Sequence, residues 1–154
     1  MAINNAKVLS DIKKWQKDIE EAIELKVQEV AVEIVESFVT YSVVAQPLLW
    51  KIPDSTHVPG KYISNWHLGV NEVPEYQINT QGDSGNNSIQ AAKADAMRYN
   101  IGDTIAIVNT TDYAVILEAD PSYTLDGDFI AQDGVLQPTI NDISTKNNWI
   151  IPTS

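Results

Sequence analysis

The stretch IVNTTDYAVILEADPS, residues 107–122, decides how the rest of the chain is read. An apolar run ends at Asn109-Thr110-Thr111-Asp112, resumes at Tyr113-Ala114-Val115-Ile116-Leu117, and stops on Glu118. Just upstream, Ile105 and Ile107 alternate with Thr104, Ala106 and Val108, the period-two pattern of a strand. Two apolar runs joined by a short polar link predict a β-hairpin over about 104–118. Glu118 then sits at a strand end, where it serves either as a catalytic carboxylate or as part of an assembly surface.

Upstream of this stretch, Ser88 reads as the cap of a short Ala-rich helix, IQAAKADAMRY, closed by Asn100-Ile101-Gly102. Before it, residues 71–88 form a polar loop with TQGDSGNNS at its tip. Trp66, Leu68 and Val70 alternate with His67 and Gly69 as in a half-buried strand. Residues 45–60 carry three prolines and read as a loop anchored by Leu48, Leu49 and Trp50.

One long helix is expected over about 10–42, opened by Ser10 as N-cap with Asp11 in its first turn. No Gly or Pro interrupts it, and Ile12, Trp15, Ile19, Ile23, Val27, Val30, Ile34, Phe38 and Tyr41 recur in steps of three and four. At about 1.5 Å per residue it is roughly 50 Å long, more than a small domain needs, so part of it should pack on something else. Its β-branched second half needs packing to stay helical, and a strand over 39–44 is the competing assignment. Glu29, Glu33 and Glu36 share its far face, as a solvated surface or as the acidic lining of a channel or subunit contact. Downstream of 120–134, a loop, a last helix starts between Gly134 and Pro138 and runs over about 135–147. The expected fold is one α+β domain over 1–154, with a long N-terminal helix and shorter helices on a small antiparallel sheet. Its sheet edges invite a second copy.

Composition narrows the function. The 154 residues include 21 acidic and 10 basic side chains, a net charge of -11, which repels phosphate and disfavours sequence-independent DNA binding. There is no cysteine, hence no disulfide, thiolate metal site or cysteine nucleophile. Neither a signal-peptide core nor a membrane-length apolar run is present, and a soluble protein made inside a cell is expected.

Chemistry-bearing patterns are sparse. His57 and His67 lie ten residues apart and match no metal spacing. Neither a nucleophile-elbow serine nor a phosphate-binding glycine loop occurs. Asp120, Asp126 and Asp128 resemble a calcium loop but lack its twelve-residue frame. Glu118 with Asp112 or Asp120 could be written as a glycosidase pair, yet sequence proximity supplies no partner. Trp15 and Trp66 read as core, whereas Trp50 and Trp149 are candidates for a partner contact. No cofactor or metal is expected.

The ordered set Gly60-Lys61, Ser64-Asn65-Trp66, AAKADAM, Asn109, Tyr113-Ala114 with Leu117-Glu118, and Gly134-Val135 resembles the tail-completion, or neck, proteins of tailed bacteriophages, the group that includes the lambda-like minor tail protein Z. An Asp-Thr pair before the glycine and a Gly-x-Ser after the glutamate, common in that group, are absent here. The resemblance implies a non-enzymatic virion part at the head-to-tail junction, assembled in the host cytoplasm, commonly as a ring of six copies around a channel through which DNA passes without sequence-specific binding. Implied partners are copies of itself, the head connector or adaptor, and the tail terminator or tail tube. Tail terminator and head-completion adaptor are the nearest alternatives; a carbohydrate-binding module or small hydrolase is more remote. Glu118 would hold the turn between Asn109 and Tyr113 in shape.

Overall fold

A computed structural model describes residues 5–42, 60–79, 84–119 and 135–148 of the chain. The fold is α+β. Helix α1 spans Asn5–Tyr41, a 3-10 turn at Ile63–Asn65 leads into strand β1 (Trp66–Val70), and helix α2 covers Asn86–Ala96. Strand β2 (Ile105–Asn109), helix α3 (Ala114–Ala119) and helix α4 (Leu136–Lys146) follow.

Helix α1 is longer than expected. Ser10 lies inside it, because 37 residues without Gly or Pro give the helix no reason to start late. Ser42 ends it by turning its hydroxyl back onto the Phe38 carbonyl at 2.6 Å, which satisfies one of the terminal acceptors. Only the second half is built into the core: Ala31, Val35, Phe38 and Val39 pack against Tyr62, Trp66, Leu68, Ala92 and Val135. That burial is what keeps the β-branched half helical, and residues 39–41 are helix, not strand. In the first half Ile12, Ile19 and Ile23 are exposed, and Trp15, expected in the core, is 66% exposed. The stripe is amphipathic as expected, but among the described residues nothing lies opposite it.

Strand β1 pairs antiparallel with β2, with Trp66 opposite Asn109, Leu68 opposite Ile107 and Val70 opposite Ile105. All five β1 residues are buried, so the expected half-buried alternation does not hold; α1 and α2 cover one face and the extended segment after β1 covers the other. Gly69 belongs to that second cover: a side-chain carbon there would run into the Glu72 carbonyl and, at 2.8 Å, the Pro74 ring.

The expected β-hairpin over 104–118 is not formed. Residues 105–109 are a strand, but 114–119 are helical. Asn109 turns the chain: its Oδ1 accepts the Thr111 amide at 3.0 Å and the Thr111 hydroxyl at 2.8 Å, a side-chain turn that ends the strand. Residues 114–119, five apolar residues and a glutamate, are too short a run to carry a period that separates helix from strand.

Helix α2 begins two residues before Ser88, at Asn86, with Gly85 as its N-cap at φ +79°. Ser88 is buried in the first turn, its hydroxyl 3.5 Å from the Ile63 carbonyl, so it packs and does not cap. Helix α4 lies against α1, with Val135, Thr139 and Ile143 buried and the Ser37 hydroxyl donating to Asp142 at 3.2 Å.

Candidate functional site

The residues singled out by the sequence converge around a side chain the sequence reading passed over, Tyr62. Gly60 adopts φ +86° and turns its carbonyl toward Ser64, accepting the Ser64 amide at 3.1 Å and its hydroxyl at 2.7 Å. This tight turn aims the next residues inward. Lys61 contributes its backbone: its carbonyl accepts Asn65 Nδ2. Asn109 Nδ2 donates to the Tyr62 carbonyl at 2.9 Å, tying the end of β2 to the turn before β1.

Asn65 has no exposed surface and a fully used amide. Its Nδ2 donates to the Ile78 carbonyl at 2.8 Å and its Oδ1 accepts the Ile78 amide at 2.7 Å, as a paired backbone would. The Asn65 carbonyl accepts the Thr110 amide at 3.1 Å, so one residue joins three segments. Trp66 is buried, stacked on Phe38 at 4.2 Å between ring centroids, and its indole Nε1 donates to the Ser42 hydroxyl at 2.8 Å. His67 is buried against Tyr76, with ring centroids 4.3 Å apart. Burial lowers its pKa from the ordinary value, against a smaller opposing pull from Asp95.

Tyr62 lies edge-on to Trp66 at 5.7 Å and stacks on Tyr113 at 6.3 Å. Its hydroxyl donates to Glu118 Oε1 at 2.7 Å. The other oxygen of Glu118, Oε2, accepts the backbone amides of Val135 at 3.0 Å and Leu136 at 3.2 Å. Glu118 is thus the N-terminal cap of α4, delivered from α3; α4 has no cap of its own, because Val135 stands where a Ser, Thr or Asp would. This corrects the expected role: with no hairpin to hold, the carboxylate joins α3, α4 and Tyr62. Burial, the hydrogen bond to Glu118 and the charge of that carboxylate all push the Tyr62 pKa far upward. Burial and the neighbouring Asp112 raise Tyr113 to about 12. Both phenols stay neutral donors at any ordinary pH.

The acidic face of α1 is used unevenly. Glu36 pairs with Lys93 of α2 at 3.1 Å, Glu33 accepts Asn147 Nδ2 at 3.4 Å, and Glu29 faces Lys26 at 3.7 Å. The first two contacts tie α2 and the end of α4 to α1 at the surface, whereas the third stays within α1. Trp50, Trp149 and His57 lie outside the described residues, as do Asp120, Asp126 and Asp128.

Chemically the cluster is closed. Tyr62, Asn65, Trp66, Asn109 and Glu118 each spend polar atoms inside the fold, on one another, on backbone or on the hydroxyls of Ser42 and Thr111. The groove between α1 and β2 is lined by Val27, Val30, Ala31, Ile34, Ile105 and Ile107, and its one ionisable neighbour is Lys26. Among the described residues no group of three His, Asp or Glu side chains is placed to hold a metal ion, and no helix is long and apolar enough to cross a membrane. The signal for Tyr62 was present in GKYISNW: it precedes Trp66 by four positions, one helical turn, which puts the two rings on one side of the turn. No protein family, curated protein or solved structure matches the chain.

Proposed function

We propose that this chain is a non-enzymatic structural component of a tailed bacteriophage, acting at the neck between the head connector and the tail. One observation carries the reading: the residues of the resemblance, Gly60, Lys61, Asn65, Trp66, Asn109, Tyr113 and Glu118, are spread over the sequence yet meet in one hydrogen-bonded and stacked cluster. A set of side chains that spends its polar atoms internally fixes shape; it leaves no nucleophile or base facing a cavity. In this reading the cluster holds α3, α4 and the sheet in the orientation that presents their outer surfaces to copies of the chain, to the connector or adaptor above, and to the tail terminator or tube below.

The net charge of -11 supports the same assignment, since an acidic wall lets DNA pass without holding it. The copies form a ring, with six the number the resemblance implies. The decisive experiment is localisation: an antibody against the chain, applied to purified particles of the phage whose genome encodes it, should label the head-to-tail junction, and deletion of the gene should leave filled heads separate from tails. Joined, infectious particles from the deletion would sink the reading.

A further inference from the structure

The first half of α1 is a helix with an apolar side that, among the described residues, nothing covers. Val8, Ile12, Trp15, Ile19 and Ile23 are each at least one-third exposed, Trp15 by 66%, and they follow one another at helical spacing. Their line continues without a break into the groove formed by Val27, Val30 and Ile34 with Ile105 and Ile107 of β2. The result is one apolar strip running along most of a 37-residue helix. Large contiguous apolar strips on water-exposed helices mark docking surfaces.

Charge along the same helix says what docks. Residues 5–17 hold four lysines, Lys7, Lys13, Lys14 and Lys17, against Asp11, a net +3. Residues 18–36 hold Asp18 and six glutamates against Lys26, a net -6. The sign changes between Lys17 and Asp18, near the middle of the exposed stripe. A second copy of the helix laid antiparallel places its basic third over the acidic part of the first, and the reverse, in a single contact. A parallel pair would set like charges side by side. An anionic membrane surface suits the arrangement less well, because the stripe runs on past the lysines into Asp18, Glu20, Glu21 and Glu24, and the whole chain carries -11.

We infer that two copies of the free protein pair through α1, antiparallel, centred near Lys17 and Asp18, with Trp15 of one copy beside Ile19 of the other. The contact is isologous and closes on itself, so it cannot propagate into a ring. It is the form of the chain before assembly, in which each copy covers the other's apolar strip, and it stands or falls separately from the neck assignment.

The full-length chain tests this directly. Sedimentation velocity at tens of micromolar should give twice the 17.0 kDa chain mass, and Trp15→Glu should return it to monomer with unchanged helical circular dichroism, because Trp15 is 66% exposed and stands outside the hydrophobic core. A monomer in the parent protein would overturn the inference. Orientation has its own readout, since the chain has no cysteine. Val8→Cys and Lys26→Cys introduce single thiols five helical turns apart on one side of α1. A short bis-maleimide should couple an equimolar mixture of the two variants and leave each variant alone uncoupled. Coupling of Val8→Cys to itself would show a parallel pair and defeat the proposal, as would a monomer that co-sediments with phosphatidylserine vesicles.

Discussion

The Tyr62 hydroxyl and the Glu118 carboxylate, 56 residues apart in sequence, lie 2.7 Å apart and lock the turn before β1 to the cap of α4. One oxygen of Glu118 serves the tyrosine and the other serves the first two amides of a helix from a third part of the chain. Such a bond to a charged acceptor contributes about 1.5–3 kcal/mol. Tyr62→Phe should lower the unfolding free energy by an amount in that range, read as a lower denaturant midpoint at unchanged slope. A double-mutant cycle with Glu118→Gln should give a coupling of about 1 kcal/mol or more, and strict additivity would show that the pair does not interact in solution.

Capping predicts a local effect distinct from the global one. Glu118→Ala removes the acceptor for the Val135 and Leu136 amides and the negative charge at the positive end of α4. Hydrogen exchange at those two amides should accelerate more than at the β1 and β2 amides. Uniform acceleration across the protein would mean that Glu118 contributes only to overall stability.

Asn65→Asp is nearly isosteric and should still be among the most damaging single changes. The carboxylate keeps the acceptor for the Ile78 amide, but the Nδ2 donor to the Lys61 and Ile78 carbonyls is lost and a charge is placed at a site with no exposed surface. A loss of about 3 kcal/mol or more is expected, read by urea unfolding. A change below about 1 kcal/mol would show that the site opens to water.

Gly85→Ala should destabilise the protein by more than the usual cost of a left-handed alanine, about 1–2 kcal/mol. Gly85 has φ +79°, and a methyl group there would also press on Val39 and, at 3.0 Å, Ile63. By contrast, Glu36→Gln breaks only a surface pair with Lys93, both side chains more than two-fifths exposed, and should shift stability by less than about 1 kcal/mol. Thermal melts of the two variants side by side give the comparison.

His67 makes stability depend on pH in a known direction. Its folded pKa lies below the ordinary 6.5 because burial disfavours the imidazolium. In the window just below 6.5 the unfolded chain therefore holds a proton that the folded chain does not, and stability falls as the pH drops through that window. Lowering the pH from about 7.5 to about 5.5 should reduce the melting temperature of the parent protein more than that of His67→Gln. Equal shifts would show that His67 titrates normally in the folded state.

The elements were legible in the sequence wherever a local rule acts alone. The uninterrupted run from Asn5 to Tyr41 dictates a helix, the absence of a side-chain cap at Val135 is visible in the letters, and Trp66 is marked as core by its alternation with Leu68 and Val70. The apolar stripe of α1 was also plain, including its excess over what a small core can cover. What local rules could not decide was the identity of 114–119, because five apolar residues and a glutamate satisfy helix and strand equally until something else in the fold chooses.

That choice is made by tertiary contacts. The side-chain turn at Asn109 ends β2, β2 pairs with β1, and Glu118 reaches Tyr62 and the start of α4 from a helix. Composition and periodicity set which faces are apolar and how long α1 runs, since those follow from neighbours three or four positions apart. The partner of Glu118, the burial of both faces of β1 and the bareness of half of α1 depend on residues tens of positions away, and only the folded chain brings those together.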